Sequence, residues 1–196
     1  SLLIVWLRWK TLERFRSSKI TPKTVWNGTL NNCTLTSNSA FFGGGAYGGT
    51  LSNCTLTSNS AYDGGGTYDS VLADCNLIGN IASTNGGGAY GGTLSNCTLA
   101  NNSALFGGGC FESTVYSSTF LSNICLPGDV DVNTVGGGCY LSTVYSSTFT
   151  ENFAYIGGGA AFSTLSNCTL ATNSALAGGG AAGGTLSNCT LTNNSA

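Results

Sequence analysis

Histidine and methionine are absent from this chain, proline occurs twice, and only 7% of the 196 residues are charged. Without histidine there is no imidazole to act as a general base near neutral pH or to hold a metal ion. All six Lys and Arg lie between Arg8 and Lys23, so with Glu13 residues 1–23 carry a formal +5. Residues 24–196 hold no cation and seven acids, a formal −7. A region without Lys or Arg cannot neutralise a phosphate backbone, which excludes nucleic acid as its partner. The longest apolar run, residues 2–7, is too short to span a bilayer. That run is followed rather than preceded by basic residues, unlike a secretory signal.

What is abundant is repetition. Aligned on the phrase T-L-S-N-C-T-L-x-x-N, eight copies have cores at 30–38, 51–59, 72–80, 94–102, 115–123, 144–152, 165–173 and 186–194. The last Asn of each copy recurs at intervals of 21, 21, 22, 21, 29, 21 and 21 residues. Gly-Gly-Gly triplets follow seven copies, starting at 43, 64, 86, 107, 136, 157 and 178. A fixed period of this length denotes one supersecondary unit that stacks on copies of itself to bury its apolar face.

Within the copy at 43–63, alternation puts Leu51 on one side and Thr50 and Ser52 on the other. Asn53 tolerates the left-handed conformation and permits a sharp bend. Beyond it Cys54 and Leu56 point inward, and Thr55 and Thr57 outward. The Ser-Asn-Ser-Ala run at 58–61 reads as a turn, the glycines as corners, and Ala46 and Tyr47 as a third short strand. The expectation is an all-β, right-handed parallel β-helix of about eight coils over residues 27–196, with residues 1–26 a non-repeat cap or docking segment. Stacking makes ladders. Leu30 to Leu186 form one, Leu35 to Leu191 a second, and the eight Asn from Asn38 to Asn194 are placed for an amide ladder. Six of the nine cysteines share one position (33, 54, 75, 97, 168 and 189), where Ser118 and Ser147 stand in copies five and six. A residue exchangeable with Ser and repeated once per coil reads as a small core filler, expected to remain a free thiol. No C-x-x-C spacing occurs, so neither metal nor cofactor is expected.

These phrases resemble the repeats of the polymorphic outer-membrane proteins, found in chlamydial surface proteins and bacterial adhesin-like proteins. The family's F-x-x-N stands at 120–123 and 149–152, with Leu for Phe in the other six copies. Its G-G-A phrase stands at 44–46, 87–89, 158–160 and 179–181, followed by Tyr or Ala rather than Ile. The resemblance covers roughly residues 27–196. It implies a parallel β-helix, an extracellular or bacterial cell-surface setting, and adhesion or structural work on a host protein or glycan. It carries over no catalytic residue.

Departures from the repeat supply the candidate sites. Copies five and six place Tyr116 and Tyr145 on the outer face, and Cys110 and Cys139 directly after the glycines. These two cysteines fall at one position on successive coils and form the candidate disulfide. The turn between them, 124–135, is eight residues longer and holds Cys125, Asp129, Asp131 and Asn133, a candidate binding loop. Outward T-x-T pairs such as Thr55 and Thr57 resemble the flat face of ice-binding solenoids, but Ala100, Leu121, Ala171 and the Asn76/Ile78 pair interrupt them. The acids Asp63, Asp69, Asp74, Glu112 and Glu151 are scattered over different repeat positions, so no catalytic carboxylate pair is expected. The reading is a non-catalytic adhesin-like scaffold. The alternative is a filament, because the repeat stops at Ala196, just before the next expected triplet. Either the natural chain continues, or the open coil receives another copy end to end.

Overall fold

The structure, a computed structural model, describes residues 19–20, 24–125 and 134–196. Among them every regular element is a short strand, and the strands pair parallel and in register with the coils before and after. The result is a parallel β-solenoid of about eight turns. Its first face is a 14-stranded sheet, its second a nine-stranded sheet and its third a four-stranded one. Among the described residues no helix is long and apolar enough to cross a membrane.

The chain turns its corners in the left-handed region. In one coil Gly48, Asn53, Ser58 and Gly64 have φ of 63°, 50°, 54° and 66°. Asn, Ser and Gly recur at such corners because a short polar side chain, or none, lowers the cost of this conformation. Asn53 is one of the left-handed bends, as its residue type predicts.

The short strand expected at Ala46 and Tyr47 is present. Ala46–Tyr47 lies in the same 14-stranded sheet as Thr50–Ser52, so it extends the first face rather than making a third. Ser60–Asp63, at the supposed turn, is itself a strand and pairs with Ile81–Asn85. Ser and Asn favour turns locally, but a parallel partner on each side outweighs that preference.

Leu51, Cys54 and Leu56 are buried, and Thr55 and Thr57 lie half-buried on the outer side. In copies five and six Val115 and Val144 replace the first Leu, while Phe120 and Phe149 replace the second. One side chain shrinks as the other grows, which conserves core volume. The two phenyl rings stack inside at 4.4 Å with an interplanar angle of 3°.

The amide ladder runs through the interior. Asn80 Nδ2 donates to Asn102 Oδ1 at 3.1 Å and to the Leu56 carbonyl at 3.0 Å, and its backbone N–H donates to Asn102 Oδ1 at 2.9 Å. Asn59, Asn102, Asn123 and Asn152 repeat the pattern. Among the described residues no buried side-chain nitrogen or oxygen lacks a hydrogen-bond partner.

The cysteine position is more than a filler. Cys54 Sγ donates to the Ser52 carbonyl at 3.2 Å and accepts from the Cys33 backbone N–H at 3.4 Å. Ser118 does the same with oxygen, donating to the Tyr116 carbonyl at 2.8 Å and accepting from the Cys97 N–H at 3.0 Å. Cys and Ser exchange there because both close the bend.

Candidate binding face

The first face carries a column of aromatic side chains on its outer side. Trp26, Tyr47, Tyr68 and Tyr90 come from strands paired in register, followed by Phe111. Identical backbone geometry on successive coils gives the side chains the same direction, so the rings stack. Centroids lie 4.3, 5.1, 4.5 and 5.0 Å apart, with interplanar angles of 13°, 4°, 5° and 22°. Tyr140 follows on the next coil but turns edge-on to Phe111 at 67°.

A second group joins the column at the adjacent corner. Phe42 lies 5.1 Å from Tyr68, Phe41 meets Phe42 edge-on at 4.7 Å, and Tyr62 stacks on Phe41 at 5.0 Å. Eight rings thus form one connected network on the coils nearer the N-terminus. Trp26 is 60% exposed, Phe41 64% and Tyr62 47%. Phe41 and Tyr62 also line an open hollow of about 280 Å³, together with Ser39, Ser60 and Ser83.

Because the stacked rings face one another, the column offers solvent ring edges and phenol hydroxyls rather than ring faces. Carboxylates lie beside them. Tyr90 Oη donates to Glu112 Oε2 at 3.3 Å. Burial, then the Glu112 charge, pushes the Tyr90 phenol up to about 12. Burial and Asp69 raise Tyr68 in the same direction. Both phenols therefore stay protonated donors at neutral pH. Asp63 is held by the Asn85 side-chain amide at 2.8 Å. The face combines aromatic carbon, hydroxyl donors and carboxylate acceptors, with no cation in residues 24–196.

The residues singled out from sequence are placed elsewhere. Tyr116 and Tyr145 lie on the outer side, 41% and 37% exposed, stacked on each other at 5.1 Å. Thr55 and Thr57 sit in outward columns on the second face, between Thr34 and Asn76 and between Thr36 and Ile78. Cys110 and Cys139 are register partners on adjacent strands, both fully buried and both free thiols. Their Sγ atoms lie 3.6 Å from Ser142 Oγ and Ser163 Oγ. Cys125 is not a loop residue open to a ligand. It pairs with Ala104, is fully buried, and points its thiol at the Val135 and Gly136 carbonyls at 3.4 and 3.3 Å. It fills the position that Ala61, Ala82 and Ala104 fill on earlier coils. Asp129, Asp131 and Asn133 lie outside the described residues, as does most of the segment 1–26. The described part of that segment belongs to the solenoid. Lys19–Ile20 pairs with Thr34 and Leu35, and Val25–Trp26 pairs with Ala46–Tyr47.

Sequence reasoning missed the aromatic column. Its signal was present, an aromatic residue two places beyond each of the first four glycine triplets (Tyr47, Tyr68, Tyr90 and Phe111). Among the described residues no group of three or more Cys, Asp or Glu side chains is placed to hold a metal ion. No family model matches the chain, and no curated protein matches it.

Proposed function

We propose that this chain is a non-catalytic, adhesin-like β-solenoid scaffold, working at the cell surface or in the extracellular medium, whose aromatic face binds a neutral glycan. The observation that carries this reading is the connected network of eight rings, in which Trp26, Phe41, Phe42 and Tyr62 are exposed and lie together at one corner and the adjoining face. Contiguous apolar patches of this kind mark interaction sites on soluble proteins. A saccharide presents apolar C–H surface interleaved with hydroxyls. That pattern complements Phe41 and Tyr62, the Ser39, Ser60 and Ser83 hydroxyls, and the Asp and Glu acceptors. The formal −7 of residues 24–196 disfavours sulfated or otherwise anionic chains. The repeat phrases shared with polymorphic outer-membrane proteins support the surface setting. The carboxylates support a non-catalytic role, since Asp63, Asp74, Glu112 and Glu151 each bond a neighbouring coil.

The test is a survey of immobilised neutral and anionic oligosaccharides, followed by calorimetry on the best binder. The double variant F41S/Y62S is expected to weaken binding at least tenfold, and Y116F/Y145F to leave it unchanged. Equal binding by F41S/Y62S would place the ligand elsewhere. Binding only to a deglycosylated protein partner would overturn the glycan reading.

A further inference from the structure

Sixteen of the twenty asparagines of this chain fall into two chemically distinct sets. Eight form the interior ladder, and the residue two places beyond each is Ala in seven of them, with Cys125 following Asn123. None of these eight is followed at that distance by Ser or Thr. A second eight do have Ser or Thr there: Asn27, Asn32, Asn53, Asn96, Asn101, Asn167, Asn188 and Asn193. All of this second set are exposed, and all occupy left-handed corners with φ between 48° and 55°.

We infer that the exposed corner asparagines are acceptor sites for N-linked glycosylation. The N-x-[ST] pattern is the acceptor signature because the hydroxyl two residues on assists the amide, and modification requires a surface site. Here both conditions coincide, while the ladder amides from Asn38 to Asn173 are buried and bonded to the next coil. In the reaction Asn Nδ2 forms a bond to the anomeric carbon of a sugar carried on a phosphate donor. The bond from that carbon to the phosphate oxygen breaks, the phosphate leaves with the electron pair, and the amide loses one proton. The fold also limits occupancy. Asn32 and Asn53 occupy successive coils, as do Asn167 and Asn188, and coils rise by only about 4.8 Å. A sugar ring on one member crowds the other, so at most six of the eight sites are filled on one molecule. A hydrated sugar coat on these corners compensates for a surface with few charges, and leaves most of the aromatic face uncovered. This inference does not depend on the glycan-binding reading.

The experiment is glycopeptide mapping of the protein purified from its natural source, before and after enzymatic release of Asn-linked sugars. Sugar is expected on corner asparagines and on none of the ladder asparagines. Single-hexose increments would indicate a nucleotide-linked donor, and larger branched increments a lipid-linked one. The variant T98V, expressed in the same source, keeps a β-branched residue in its strand and is expected to abolish modification at Asn96 alone. A fully unmodified protein, sugar on a ladder Asn, or retention at Asn96 in T98V would overturn the inference.

Discussion

Asn102 is the sharpest place to test whether the amide ladder holds the coils together. It is fully buried and accepts from the Asn80 backbone N–H at 2.9 Å and from Asn80 Nδ2 at 3.1 Å. Its own amide donates to the Leu77 carbonyl at 2.9 Å and to Asn123 Oδ1 at 3.0 Å. In N102A the Asn80 N–H loses its acceptor inside the solenoid, a desolvation cost of about 1–3 kcal/mol. Loss of the two bonds made by the Asn102 amide adds about 1 kcal/mol each. Asn80 Nδ2 retains the Leu56 carbonyl, so its contribution is small. The sum is a destabilisation of about 3–5 kcal/mol. Urea unfolding followed by far-UV circular dichroism measures it, with N101G as the control. Asn101 is exposed and left-handed, so glycine there is expected to change stability by less than about 0.5 kcal/mol. A loss below about 1 kcal/mol in N102A would refute the reasoning, because the ladder would then be a by-product of leucine stacking.

Other expectations follow from the same geometry. C97S should cost less than about 1 kcal/mol in a thermal melt, since Ser118 and Ser147 already serve that position, whereas C97A should cost about 1–3 kcal/mol by leaving the bend open. G87A should prevent folding at 37 °C, as its Cβ would meet the Gly108 and Ser103 carbonyl oxygens at 2.4 and 2.5 Å. G79A is the contrasting case, with only Ser58 Oγ nearby at 4.0 Å, and should cost about 1–2 kcal/mol for its left-handed backbone alone. Burial pushes the Cys125 thiol up to about 12 and also raises Cys33 and Cys168, opposed by Cys97, which a bond with Cys75 lowers. For Cys125, Cys33 and Cys168 the unfolded chain thus releases the proton at lower pH than the folded one. Urea midpoints should be steady below pH 9 and fall from there towards pH 12, and a flat profile would contradict the buried placement.

Much of this molecule was legible in its linear order. The repeat interval, the two leucine ladders, the interior Asn and the left-handed bend at Asn53 each rest on a local pattern copied coil after coil. In a stack, a residue's nearest neighbour is its own counterpart one period away, so periodicity alone names the contacts. Properties that depend on how segments meet were not legible. Ser60–Asp63 became a strand because parallel partners outweighed its turn-forming residues. Cys125 left the candidate loop for the alanine position of the third face, since the extra residues enter after it rather than before it. The tyrosines after the glycines name no contact in the linear order, and only in-register pairing turned them into a connected column. Side-chain direction and coil-to-coil register are set between segments far apart in the chain, and there the tertiary structure alone decided.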